Sequence, residues 1–212
     1  MKISVVTPSI RPEGLKVVQE CLEQQTLKDF EWLTEIGLPK KDGHDLNAAF
    51  NRMLRRAKGD LVVFWQDYVK AGPDCLQKFW DAYEKDKKIF FTAPVGKTSD
   101  WKEVKWDWRK HFTEVASWTY WEIDLGAAPL SALKEIGGFD EELDKHWSFD
   151  NVNVAMRADL AGYKSANLTD NQAVAWDHDA FLEHPFRKKY NPDFHNQRLD
   201  DIRRGNAKIA NL

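Results

Sequence analysis

Leu61-Val62-Val63-Phe64-Trp65-Gln66-Asp67 is five apolar residues in an unbroken run, closed by an amide and a carboxylate. An unbroken apolar run reads as a strand buried on both faces, as in a parallel sheet covered by helices on either side. Just before it, Leu46, Ala49, Phe50, Met53, Leu54 and Ala57 recur at helical spacing, with Asp45 placed as an N-cap and Gly59 as a stop. Just after it, Leu76, Phe79, Trp80 and Tyr83 repeat that spacing, and Ile89-Phe90-Phe91 reads as another strand. Further out, Ile3–Val6 and Phe30–Ile36 are strand candidates on either side of a helix bearing Leu15, Val18 and Leu22. Strand and helix therefore alternate through the first 95 residues, the pattern of an α/β domain with a mostly parallel, Rossmann-like sheet. Ligands of such sheets bind beyond the carboxyl ends of the strands. The loops Thr7–Arg11, Ile36–Asp45 and Gln66–Lys70 are the ones to watch.

After Pro94 the pattern weakens. Five of the ten tryptophans (Trp101, Trp106, Trp108, Trp118, Trp121) fall within 21 residues, which suits either a thick core or dimer contact or a ring-stacking surface for a ligand. Leu130–Ile136 and Ser148–Leu160 read as helices and Ala173–Trp176 as a last short strand. The tail from Pro185 carries seven Lys/Arg against three Asp and ends in a polar segment of helical character. The expected organisation is one domain in two halves, 1–95 and 96–180, with a tail over 181–212.

The 212 residues suffice for a core without staples, burying about 70% of the unfolded surface. Thirty-one basic side chains face 34 acidic ones, a formal charge of −3, which disfavours general polyanion binding but leaves the tail as a local basic patch. No apolar run approaches a membrane span, and the N-terminus does not read as a secretion signal. Cys21 and Cys75 alone cannot build a zinc cluster and read as reduced thiols, so a cytoplasmic place is expected, with the membrane surface open to a peripheral contact.

Several polar residues stand at those loops. Asp67 ends a strand, where a carboxylate can hold a hard cation against a diphosphate, or simply be a solvated loop residue. His178, between Asp177 and Asp179, suits a metal ligand, a general base or a structural imidazole. Asp150, at a helix start, suits an N-cap or a general base. Thr7, Pro8, Ser9 and Arg11 form a loop able to grip a phosphate, although no Gly-x-Gly-x-x-Gly and no Walker loop is present.

Read in order, Ile3-Ser4-Val5-Val6-Thr7-Pro8-Ser9, Leu22-Glu23-Gln24-Gln25-Thr26, Asp29-Phe30-Glu31-Trp32, Ala49 to Asp60, Pro73-Asp74 and Ile136-Gly137-Gly138-Phe139-Asp140-Glu141 resemble the family 2 glycosyltransferases of the GT-A fold. The resemblance spans about residues 1 to 180, and the Gly-Gly-Phe-Asp turn is its most specific part. It implies a nucleotide-sugar donor, usually a UDP-sugar, a divalent metal (manganese or magnesium) and a carboxylate base that deprotonates an acceptor hydroxyl, usually with inversion. The family's Asp-x-Asp corresponds to Gln66-Asp67-Tyr68, which leaves Asp67 as metal ligand with Gln66 beside it. The catalytic Glu-Asp corresponds to Asp150-Asn151 ahead of Arg157, so Asp150 is the expected base and Asn151 the residue holding acceptor or water. His178 matches a C-terminal metal ligand. Thr34-Glu35-Ile36-Gly37 stands where the family's nucleoside-binding acids occur, with Glu35 or Asp42 as replacements, and Asn51 joins Thr7, Pro8, Ser9, Arg11, Glu35 and Gln66 on the donor side. The Trp101–Trp121 stretch falls where the family places its acceptor. The alternatives are nucleotidyl transfer, an inactive nucleotide-sugar-binding module, a transferase acting on modified nucleic acid through the basic tail, and a lipid-linked acceptor at a membrane surface. A homo-oligomer stays open.

Overall fold

The computed structural model describes residues 1–37, 45–106, 108–111, 115–116, 121–145, 150–176, 191–206 and 212, with side chains at 108, 109, 115 and 116 left aside. β1 (Ile3–Ser9), β2 (Phe30–Ile36) and β3 (Leu61–Trp65) pair in parallel, with β1 between the other two. Every residue of β1 and β3 is buried, as their apolar runs require. α1 (Pro12–Glu23), α2 (Leu46–Arg56) and α3 (Cys75–Lys85) form where the helical spacing predicts them.

Beyond β3 the sheet is not a simple continuation. After Trp65 the chain turns, Val69 N–H donating to the Gln66 carbonyl at 3.1 Å, and β4 (Val69–Ala71) leaves for a second sheet. There β4, β10 (Ala173–Trp176) and β6 (Val95–Thr98) lie in the order β4-β10-β6. The place beside β3 goes to β8 (Leu125–Pro129), antiparallel to both β3 and β5 (Ile89–Thr92). β9 (Lys164–Asn167) pairs parallel to β5, and β7 (Val115–Ala116) closes the edge antiparallel. The main sheet has the order β2-β1-β3-β8-β5-β9-β7 among the described residues, five of its seven strands running one way.

β4, β6, β7, β8 and β9 were not expected from the sequence. Leu125-Gly126-Ala127-Ala128-Pro129 has the composition of a poor strand, because its residues are small. It is nonetheless fully buried at the centre of the sheet, where small side chains let both helical layers approach.

The sheet separates two cores. On one face Ile3, Val5, Leu61, Val63 and Trp65 pack with α1 and α3 through Val18, Leu22, Leu76 and Phe79. On the other, Val6, Val62, Phe64 and Phe90 pack with α2, α4 (Leu130–Glu135) and α5 (Asp150–Leu160) through Phe50, Met53, Leu133 and Val154. α6 (Pro192–Arg203) lies against α5. Among the described residues no helix is long and apolar enough to cross a membrane.

Candidate active site

One edge of the main sheet gathers most of the polar residues of interest. β1 ends at Ser9 and β3 at Trp65, side by side. α2 leaves after β2 and so starts at that edge. β8 runs the opposite way, Leu125 facing Trp65, so Glu122 and Asp124 arrive there just before it. Asn151 at the start of α5 donates from Nδ2 to the Trp121 carbonyl (2.8 Å) and to Glu122 Oε2 (3.0 Å), which fixes Asp150 and Asn151 at the same edge.

Asp150 accepts from Asn47 Nδ2 at 3.1 Å. The same amide donates to Asp144 Oδ1 at 2.9 Å. Burial pushes the Asp150 carboxyl from its ordinary 3.8 up to about 7, with Asp144 and Asp140 adding to the rise and the Asn47 amide opposing it. A carboxylate poised near neutrality can accept a proton from a hydroxyl.

The segment that presents Asp144 is locked by its own backbone. Gly137 and Gly138 stand at φ of 80° and 74°, in the left-handed region. A Cβ on Gly138 would lie 2.5 Å from Asn51 Oδ1. Asn51 is wholly buried: its Oδ1 accepts from Phe139 N–H (2.8 Å), and its Nδ2 donates to the Phe139 carbonyl and Glu141 Oε1, both at 2.9 Å. Asn51 is thus a clamp on the Gly-Gly-Phe-Asp turn, with no group left for a donor. Arg157, matched above to the family's helix arginine, is also buried, donating to the Ile136 and Gly138 carbonyls and to Asn153 Oδ1. Burial lowers its pKa to about 10.

The expected donor side divides. Thr7 is buried and its Oγ1 accepts from Trp32 Nε1 at 3.0 Å, and Pro8 is buried within β1. Glu35 sits between Arg52 and Arg56, 3.1 Å from each. Gln66 is nearly buried in the turn after β3. Ser9 and Arg11 converge on Asp67. Ser9 Oγ donates to Oδ2 at 2.6 Å, and Arg11 reaches Oδ1 from Nη2 at 2.5 Å and Oδ2 from Nε at 3.3 Å. Asn151, expected to hold acceptor or water, is instead turned toward Trp121 and Glu122.

Among the described residues, the surroundings of Asp67 do not fit the divalent cation implied by the resemblance. Asp67 is 5% exposed and both its oxygens are engaged by a hydroxyl and a guanidinium. Among the described residues no group of three His, Cys, Asp or Glu could hold a metal ion. His178 and Asp42 lie outside the described residues, as do Trp118 and the basic residues Arg187 to Lys189.

Among the described residues, Trp101 and Trp121 of the tryptophan cluster lie in different environments. Trp121 is fully buried, packed edge-on against Phe64 (5.5 Å) and Phe90 (5.2 Å). This corrects the expectation that an acceptor stacks on it: its ring is core. Trp101 is 38% exposed, at φ 60°, with Lys70 Nζ 4.4 Å over its ring and Trp176 5.0 Å away. Trp101 and Lys70 line a shallow groove with Val104 and Gln172.

Sequence reasoning overlooked Asn47, Asp144, Glu122 and the Tyr68–Asp124 pair (OH to Oδ1, 2.8 Å). A signal existed for one of them. Asn47 and Asn51 are four apart and continue to Leu54, so they share an inward face of α2.

Comparison with known proteins bears on the fold. Against S. aureus TarS 1-349 in complex with UDP-GlcNAc the TM-score is 0.69 at 16% identity, covering all of this chain and 68% of that one. The fold is shared with S. aureus TarS. Against TarS 1-349 in complex with UDP the TM-score is 0.64 at 15% identity, covering 84% of this chain and 61% of that one. Against the longer TarS structure it is 0.61 at 15% identity, and this chain spans only 37% of it. The mostly parallel, GT-A-type α/β expectation is borne out. No family model matches the sequence, and no curated protein matches it.

Proposed function

We propose that this chain is a glycosyltransferase that moves a sugar from a nucleotide-diphosphate sugar, of the UDP class, to an acceptor hydroxyl. The observation that carries the reading is Asp150. It is a carboxylate held near neutrality at the ligand-binding edge of a fold whose solved relatives hold UDP and UDP-GlcNAc. In this reading Asp150 takes the proton of the acceptor hydroxyl. The oxygen bonds to the anomeric carbon, the bond from that carbon to the diphosphate breaks, and UDP leaves with the electron pair. A single displacement of this kind inverts the anomeric carbon. Asn47 orients the base, and Asn151 with Glu122 fixes the strand entry beside it.

The test is UDP release from UDP-GlcNAc, to water and to a panel of saccharide acceptors. The wild-type chain turns over, while Asp150→Asn loses at least about 100-fold in rate, the lower range of a general base, with UDP affinity unchanged. Turnover retained by Asp150→Asn removes the base. UDP binding without any turnover by the wild type favours a binding module.

A further inference from the structure

At the end of β3 the usual roles of acid and base are reversed. Asp67 offers no open side. Arg11 occupies the plane of its carboxylate through Nη2 and Nε, and Ser9 Oγ donates to Oδ2. The first turn of α1 covers what is left: a Cβ on Gly14 would stand 2.9 Å from Oδ2 and 2.8 Å from the Asp67 carbonyl. Divalent cations bind carboxylate oxygens at about 2.0–2.6 Å within a shell of six or more oxygens. Such a shell at Asp67 requires ejecting Arg11 and shifting α1.

Arg11 is the group with capacity to spare. A guanidinium has five N–H donors, and those not aimed at Asp67 have no partner among the described residues. Its side chain is 21% exposed, against 5% for its partner. Its orientation is fixed from three sides. Asp67 grips it by two nitrogens, and the Arg11 backbone N–H donates to Ser9 Oγ at 2.9 Å. The third side is the ring of Tyr68, 5.8 Å away, which Asp124 anchors in turn. A planar fork held in one place matches phosphate oxygens two at a time, which a hydrated cation or a flexible lysine does not.

We propose that Arg11, positioned by Asp67 and Ser9, is the diphosphate-binding group of this chain and takes the place of a divalent cation. Nucleoside diphosphates therefore bind with all metal removed. The proposal rests on the reading of this edge as a nucleotide-sugar site. Asp67 acts through Arg11, as a positioning residue and not as a metal ligand.

Calorimetric titration of UDP and UMP into the whole chain, in EDTA and separately in manganese, tests this. The expected result is UDP affinity in EDTA within about twofold of that in manganese. Arg11→Ala then weakens UDP at least tenfold in EDTA while UMP changes less than threefold, because only the diphosphate spans the fork. Arg11→Gln, which keeps a hydrogen bond to Asp67 but drops the charge, serves if Arg11→Ala does not fold, and it too weakens UDP. Asp67→Asn weakens UDP equally in both buffers. UDP binding that appears only with manganese, or an Arg11 variant that binds UDP in EDTA as the wild type does, overturns the proposal and leaves the nucleotide site standing. No UDP binding in either buffer, by protein shown to be folded, overturns the nucleotide site itself and this proposal with it.

Discussion

Under the proposed function, Asp150 is worth more to catalysis than to stability. Its carboxyl titrates at about 7 when folded and near 3.8 when exposed, so the folded chain holds the proton more tightly. The stability linked to that proton is fully present below pH 3.8 and is lost as pH rises through about 7. Asp150→Asn removes the loss, so at pH 8 the variant is the more stable of the two and melts at the higher temperature. Below pH 4 it gains nothing; thermal melts across pH check this. Under the proposed function, the activity is expected to run the opposite way, rising through a midpoint near 7 as Asp150 ionises. Asn47 tunes that midpoint: its Nδ2 stabilises the ionised carboxylate, so Asn47→Ala moves the midpoint of the pH–rate profile upward. The identity of Asp150 as a candidate was legible from its place at a helix start after the Gly-Gly-Phe-Asp turn. Its pKa was not, because burial comes from residues distant in sequence.

The helices show the same division between local and distant causes. Periodicity predicted α2 and α3, and the residues at their N-caps, Asp45 and Asp74, are of the right type, yet neither side chain makes the cap hydrogen bond. Asp144 does it for α2, accepting from Asn47 N–H at 2.9 Å and Ala48 N–H at 3.0 Å. Gln25 does it for α3, accepting from Leu76 N–H at 2.9 Å while donating to the Cys21 and Gly72 carbonyls. Gln25 is fully buried, so Gln25→Met keeps its volume and strands the Leu76 N–H and the Cys21 carbonyl, while Gly72 keeps the Cys75 N–H. The expected cost is about 2–4 kcal/mol in urea unfolding. Helix boundaries are a local matter of apolar spacing, whereas buried helix ends take whatever oxygen the fold brings to them.

For the molecule as a whole, β8 and α6 decide what the two halves of the chain make together. β8 comes from the second half and separates β3 from β5 of the first, so neither half carries a complete sheet. α6 is tied back through Arg198, whose Nε donates to Asp140 Oδ2 at 2.7 Å in a pair only 12% and 5% exposed. Arg198→Ala leaves Asp140 buried without that partner, beside the turn that presents Asp144. The expected cost is about 3 kcal/mol, read by denaturant unfolding, together with a fall in turnover. The sequence by itself determined the alternation of strand and helix, the fully buried β1 and β3, and the edge at which the polar loop residues gather, because hydrophobic spacing acts over a few residues. Only the tertiary structure decided the partners of the polar groups. Ser9 and Arg11 lie 58 and 56 residues from Asp67, and Asn47 and Asp150 lie 103 apart. Which of them meets a ligand and which is consumed in holding the fold depends on burial and hydrogen-bond geometry, which no spacing along the chain encodes.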